Sequence, residues 1–274
     1  MSAAILVNGT ASTTVDATDR GLAFGDGVFR TLRVRGGRPL NLARHLRCLA
    51  RDCAALALAS PDENTVRGEI ARVAPGEAVV KIIVTRGAGG RGYAPPATPV
   101  PTRIVAAFPL PAYPPGLARD GVRVRRCGLV LSDQPRLAGV KTLNRLENVL
   151  ARAEWSDPAV HEGLLADARG CVVEATASNV FVVAGGRLAT PRLDRCGVAG
   201  AARERILDLA RAAGIACEER AIRFEELAAA EEIFLTNSLI DLWPVAELEG
   251  WRRAPGPVTL RLRALVEADD AIAP

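Results

Sequence analysis

Pro109-Leu-Pro-Ala-Tyr-Pro-Pro-Gly116 divides this chain in two. Proline fixes φ and has no N–H to donate, so this stretch can continue neither a helix nor a central strand. It reads as a linker over 109–116. A small α+β domain is expected before it, at 1–108, and a larger C-terminal domain after it, at 117–274. Working back from the linker, apolar runs at Arg103 to Phe108, Val79 to Thr85, Val28 to Val34 and Ala4 to Val7 predict strands. Between them Leu42, Leu46, Leu49, Cys53 and Leu56 recur at helical spacing, and Glu63 to Val73 predicts a second helix. Working forward, strands are expected at Val122 to Arg126, Leu129 to Leu131, Gly163 to Asp167, Val172 to Glu174, Asn179 to Val183 and Glu232 to Thr236. Helices are expected over Thr142 to Trp155, with Leu143, Leu146, Val149, Leu150 and Ala153 on one side, and over about Gly200 to Ala213. Strands and helices mix without strict alternation. That favours two α+β domains over a doubly wound sheet.

Composition limits the function classes. The chain has 274 residues, 49% of them hydrophobic, with a net charge of +4 spread along its length. A nucleic-acid binder would gather its basic residues on one stripe with interleaved aromatics, and aromatics are only 4% here. No apolar run approaches the roughly 18 residues needed to span a bilayer, and Met1 to Gly9 lacks the basic start of a signal peptide. The cysteines at 48, 53, 127, 171, 196 and 217 show no metal-ligand spacing. They predict reduced, mostly buried thiols in a cytoplasmic protein and no metal site.

Four places could carry chemistry. Lysine occurs only at Lys81 and Lys141, every other basic residue except two histidines being arginine. A lysine amine can lose its proton and arginine cannot, so a retained lysine is a candidate for amine chemistry; chance survival is the alternative. Lys141 lies between a loop (Pro135 to Gly139) and the helix expected from Thr142. At a domain mouth such an amine can attack a carbonyl, and a surface lysine is the alternative. Gly87-Ala-Gly-Gly-Arg-Gly92 matches the dinucleotide fingerprint, but Tyr93-Ala-Pro-Pro follows it and cannot open the helix that a pyrophosphate needs. A loop carrying Arg91 and Tyr93 to a ligand, or a plain turn, fits better. Finally, Glu174 ends an apolar strand, and Gly197-Val-Ala-Gly200 leads into a helix whose Ala201 and Ala202 amides could take a phosphate.

These pieces stand in the order found in the fold-type IV pyridoxal-phosphate (PLP) enzymes. Asp19-Arg-Gly-Leu-Ala-Phe-Gly-Asp-Gly-Val-Phe29 resembles that superfamily's N-domain signature, and Glu174-Ala-Thr-Ala-Ser-Asn179 its cofactor-nitrogen motif. Lys141-Thr-Leu-Asn-Arg-Leu-Glu-Asn-Val-Leu-Ala-Arg152 and Thr85-Arg-Gly-Ala-Gly-Gly-Arg-Gly-Tyr93 are similar to the motifs of the 4-amino-4-deoxychorismate lyases. The resemblance implies a fold like that of D-amino-acid aminotransferases, with PLP at the interdomain cleft and the larger domain, 117–274, binding it.

It further implies a Schiff base on Lys141 and pairing of Glu174 with the pyridine nitrogen. The phosphate would rest on Ala201, Ala202 and the Asn237-Ser238 turn, with Asn179 in the cofactor motif. The implied reaction takes aminodeoxychorismate to 4-aminobenzoate and pyruvate in folate synthesis, in a homodimer. A branched-chain or D-amino-acid aminotransferase, or a PLP-binding protein without turnover, is the alternative. Arg91, Tyr93, Arg30 and Arg33 are the expected contacts for the substrate's carboxylates.

Two departures from the family pattern stand out. Arg30 occupies a position where many members have Glu. Cys48 stands where a His-x-x-Arg-Leu pattern supplies a phosphate arginine. Either Arg44 or Arg51, one turn either side of Cys48, is expected to supply that charge; a weakened phosphate site is the alternative.

Overall fold

Strand-period alternation builds the first part of the molecule. β1 (Ala4–Val7), β2 (Thr10–Ala11), β3 (Gly27–Arg35), β4 (Arg38–Pro39), β5 (Ala78–Thr85) and β6 (Thr102–Phe108) pair as an antiparallel sheet in the order β2-β1-β6-β5-β3-β4. A short α1 (Arg20–Phe24) precedes β3. The longer α2 (Leu42–Ala55) and α3 (Glu63–Val73) cover one face of the sheet. Val28, Leu32 and Val34 of β3 and Val80, Ile82 and Val84 of β5 point to the helices and are almost fully buried. Phe29, Thr31 and Arg33 project from the other face, because successive side chains of a strand alternate.

The structure, a computed structural model, describes residues 4–272. They divide into two units. The first runs to Ala112 and includes Val140–Asn144; the second is Tyr113–Gly139 with the chain from Arg145 onward. The sequence reading placed Lys141 in the domain 117–274, whereas the structure groups it with the first unit. Backbone bonding is the reason. Phe29 N–H donates to the Lys141 carbonyl at 3.0 Å and Leu143 N–H to the Gly27 carbonyl at 3.0 Å, so the segment lies along β3.

The second unit starts with α4 (Leu117–Asp120), β7 (Val122–Leu131) and α5 (Leu146–Arg152). Then come β8 (Val160–Asp167), β9 (Val172–Ala175), β10 (Asn179–Ala184), β11 (Arg187–Pro191), α6 (Ala201–Ala212) and β12 (Cys217–Arg220). β13 (Glu232–Thr236), β14 (Trp243–Leu248), β15 (Trp251–Arg252) and α7 (Pro257–Ile272) complete it. The sheet runs β12-β11-β10-β13-β14-β7-β8-β9, with β15 pairing off β14. The β11–β12, β14–β7 and β7–β8 pairings are parallel. β9 also packs against β10 and β11, so the sheet curls and encloses a core that includes Val124, Leu164, Val180, Leu235 and Val245. Phe181 and Phe234 stack on its other side beside Ile206 of α6 and Leu262 of α7.

Two expectations change here. The strands expected at Val122 to Arg126 and Leu129 to Leu131 are one strand, β7. The helix expected over Thr142 to Trp155 is only Leu146–Arg152, because Lys141 to Leu143 are committed to β3. Its apolar side is not core either: Leu146, Val149 and Leu150 are 69%, 60% and 54% exposed. All six cysteines are free; Cys48, Cys53 and Cys127 are buried and the other three half-buried. Among the described residues no helix is long and apolar enough to cross a membrane.

Candidate active site

The open face of the first unit's sheet gathers both of the chain's lysines. Lys141 Nζ lies 4.5 Å from the centre of the Phe29 ring and Lys81 Nζ lies 4.7 Å from the same centre. Lys81 reaches it from β5, where it pairs with Thr31 of β3. Burial draws the Lys81 amine below the ordinary lysine pKa. Arg33 stands two residues from Thr31 on the same face and is half-buried. Sequence reading singled out Lys81 only for its rarity. Its position four residues before the Thr85-Arg-Gly motif, in phase with Thr85 on the strand, was the missed signal.

Behind Lys141, in the layer between sheet and helices, lies a buried charge cluster. Arg30 is 2% exposed and forms a close ion pair with Asp52 of α2, which is fully buried. Asp52 Oδ2 also accepts the Lys141 N–H at 3.2 Å, and its Oδ1 lies 3.5 Å from Arg51 Nε. His45, Cys48 and Asp52 share one face of α2. His45 is pushed down to about 3 by burial, then by the positive charges of Arg30, Lys141 and Arg44.

This cluster corrects one expectation. Arg30 does not stand with Arg33 on the open face, because it is in phase with Val28 and Leu32. Arg30 also comes within 3.5 Å of the Cys48 carbonyl; Arg51 is largely exposed and Arg44 half-buried. Arg91 and Tyr93 stand exposed on the loop after β5, the Tyr93 ring 5.4 Å from Phe24.

In the second unit the turns before β10, before α6 and after β13 are tied together. Glu174 of β9 is 4% exposed and its Oε2 accepts the Val198 N–H at 2.8 Å. Asn179, at the start of β10, grips the same turn: its Nδ2 donates to the Val198 carbonyl at 2.8 Å and its Oδ1 accepts Gly200 N–H at 3.2 Å. α6 starts immediately after. Its first intrahelical bond runs from Glu204 N–H to Gly200, so the amides of Ala201 and Ala202 lie ahead of the ladder, and glycine offers no capping side chain.

The third turn is built on Asn237. Its Oδ1 accepts Leu239 and Ile240 N–H at 2.8 and 3.0 Å, and its Nδ2 donates to Ser178 Oγ at 3.0 Å; Ser238 is half-buried within the turn. Ser178 in turn donates to Glu162, which also accepts from the Thr176 hydroxyl and from Ala177 N–H at 3.2 Å. Burial pushes the Glu162 carboxyl up, against these hydrogen bonds. Glu162 escaped the sequence reading, although a single carboxylate inside an apolar strand was there to be noticed. A separate cavity of about 120 Å³, lined by Arg169, Arg192, Arg195, Cys171 and Cys196 among others, includes none of the expected site residues.

An antiparallel sheet backed by two helices and a curled mixed sheet make up the fold. The chain belongs to the class IV aminotransferase family, whose model matches residues 27–248. It is similar to the aminodeoxychorismate lyase of Vibrio harveyi, 32% identical over 242 residues, or 88% of this chain and 89% of that one. Among solved structures it is similar to the 4-amino-4-deoxychorismate lyase from Pseudomonas aeruginosa, at 45% identity and a TM-score of 0.93. That match covers 97% of this chain and 98% of the other. It is also similar to the PLP-bound form of a hypothetical aminotransferase from Mycobacterium tuberculosis, at 26% identity and a TM-score of 0.83, covering 98% and 99% of the two chains.

The fold-type IV expectation is therefore met, and PLP is the cofactor of this family. The residues present suit it. The uncapped start of α6 can take a phosphate, and Glu174 is a buried carboxylate held in one orientation by Val198.

Proposed function

We propose that this chain is a PLP-dependent lyase that converts 4-amino-4-deoxychorismate to 4-aminobenzoate and pyruvate, a step in folate synthesis. The observation that carries the proposal is 45% identity, over 97% of the chain, to a structure bearing that lyase name. Lys141 Nζ would hold the cofactor as a Schiff base, Glu174 would keep its ring nitrogen protonated, and Ala201, Ala202 and Ser238 would donate to its phosphate. Bound, PLP supplies an electron sink.

The rest is done by this chain's own side chains. Lys141 Nζ would also serve as the base that takes the proton from the substrate's amine-bearing carbon. The enolpyruvyl group would then leave as the ring becomes aromatic, and a proton returned to its methylene carbon would give pyruvate, so no second substrate would be consumed. The substrate carries two carboxylates, and the cations offered to them are Lys81 and Arg33 on the open sheet face and Arg91 on the loop, with Tyr93 beside it. The Asp52 carboxylate holds the Lys141 backbone from behind.

The test is pyruvate release from aminodeoxychorismate with no 2-oxo acid present, paired with borohydride reduction and peptide mapping. Pyruvate and a pyridoxyl group fixed on Lys141 are expected. Turnover only with an added 2-oxo acid would replace this reading by transamination, which the Mycobacterium tuberculosis relative favours. An adduct on Lys81 would overturn the assignment of Lys141, and bound cofactor without either turnover would leave a PLP-binding protein.

The protein is further proposed to be a homodimer. The exposed Leu146, Val149 and Leu150 on one short helix support this, since such a patch is costly in water. Light scattering at the size-exclusion peak should give twice the chain mass. A cytoplasmic location is supported by six free thiols, as a reducing compartment requires.

A further inference from the structure

The glycine-rich loop after β5 has no regular structure, and its residues from Arg91 to Pro95 are all exposed. One buried side chain threads it. Arg20, the first residue of α1, is 4% exposed. Its Nη1 donates to the carbonyls of Gly92 and Ala94 at 3.0 and 3.3 Å, and its Nη2 to that of Tyr93 at 2.9 Å. Its Nε donates to Asp26 at 2.9 Å, and Asp26 is held from the other side by Arg86 at 2.8 and 3.0 Å. Three successive carbonyls and one carboxylate are therefore gathered by one guanidinium. No other side chain has the fork of donors for that, and a lysine ammonium lacks its planar geometry.

The glycines fit the same account. A Cβ on Gly89 would lie 2.9 Å from Arg20 Cδ and 3.2 Å from Cγ, in the path of the arginine stem. Gly87 has φ +85°, and a Cβ there would lie 1.8 Å from the Val100 carbonyl oxygen; its own carbonyl accepts the Arg20 N–H at 2.9 Å. The Arg20 guanidinium also stands 4.9 Å over the Phe24 ring, against which Tyr93 packs.

We propose that Arg20 is the positioning residue of the Arg91–Tyr93 loop, and that the spacing of Gly87, Gly89 and Gly92 forms a socket for its side chain rather than a phosphate cradle. The functional half of this rests on the reading of Arg91 and Tyr93 as substrate contacts. Arg20 holds the loop's backbone from beneath, so that these two side chains project outward.

The holoenzyme and its Arg20→Ala, Arg20→Lys, Gly89→Ala and Arg91→Ala variants are compared. The readouts are hydrogen exchange over residues 87–95, tryptic cleavage after Arg91, the visible cofactor spectrum, and kcat and KM for aminodeoxychorismate. In Arg20→Ala, faster exchange and cleavage are expected with an unchanged spectrum, and KM should rise by about tenfold while kcat changes far less. Arg20→Lys should behave like the alanine variant. Gly89→Ala, which keeps the arginine but obstructs it, should move every readout the same way and stands in if Arg20→Ala does not fold.

Unchanged exchange and cleavage in Arg20→Ala and Gly89→Ala would overturn the socket. A KM raised by Arg91→Ala but not by the Arg20 variants would overturn the positioning role. If Arg91→Ala leaves KM unchanged while Arg20→Ala frees the loop, the socket stands and the substrate reading of Arg91 is what fails.

Discussion

Asp52→Ala is expected to cost about 4 kcal/mol of stability. The carboxylate is fully buried and meets Arg30 at 2% exposure, so its removal strands a guanidinium in the layer between sheet and helices. Removing one partner of a buried pair costs about 3–5 kcal/mol. The Lys141 N–H, 3.2 Å from Asp52, loses its acceptor as well, a loss of about 1–3 kcal/mol if nothing replaces it. Arg51 adds little, its side chain being 46% exposed. These terms overlap, so the total should sit near the middle of the first range.

The double variant Arg30→Met with Asp52→Leu removes both charges at similar volume and should be less damaged than Asp52→Ala alone. The choice of probe matters. Trp155, Trp243 and Trp251 all lie in the second unit, so tryptophan fluorescence would not report on the layer. Urea unfolding should instead be followed by far-UV circular dichroism, with hydrogen exchange over Gly27–Arg35. A loss below about 1 kcal/mol in Asp52→Ala, or a double variant as unstable as the sum of the singles, would refute the buried-pair reasoning.

Two other outcomes follow from protonation. His45 binds its proton at about 3 when folded and near 6.5 when unfolded. Below pH 6.5 the unfolded chain gains a proton the native state refuses, so stability should fall by up to ~1.4 kcal/mol per pH unit down to about pH 3. His45→Asn should flatten this limb, and an identical slope in that variant would count against it. Cys196 and Cys217 are half-buried but pushed up to about 12 and about 11, chiefly by burial. Their labelling by a disulfide reagent should be slow at pH 7.5 and rise ~tenfold per pH unit; fast labelling of Cys196 at neutral pH would contradict this.

Much of the fold was legible because it is local. The bounds of α3 and β13 and the strand at Ala4–Val7 match the ranges expected from the sequence. Arg30 was misread although its phase was available: in Val28-Phe-Arg-Thr-Leu-Arg-Val34 it alternates with Val28 and Leu32, and only the unlikeness of a charge in that row hid it. Asp52, which makes the burial tolerable, is far away in sequence and gives no local sign. The helix from Thr142 failed for a related reason. Its periodicity is real, but Lys141 to Leu143 answer to hydrogen-bond partners on β3 more than a hundred residues earlier. Candidate site residues were readable where a motif is contiguous, as in Glu174 to Asn179, which the structure brings to one turn. They were not where geometry comes from across the sheet, as with Lys81 beside Lys141.

The strap formed by Val140–Asn144 bears on how the protein is made. A chain leaving the ribosome can pair β1, β3, β5 and β6 once Phe108 has emerged. At that stage the Phe29 amide, the Gly27 carbonyl and Asp52 still lack their partners from the lysine segment. N-terminal regions ordinarily fold first during synthesis. This one stays unfinished until Lys141 itself arrives, so an N-terminal fragment ending at the prolines would lack its last stretch of sheet bonding.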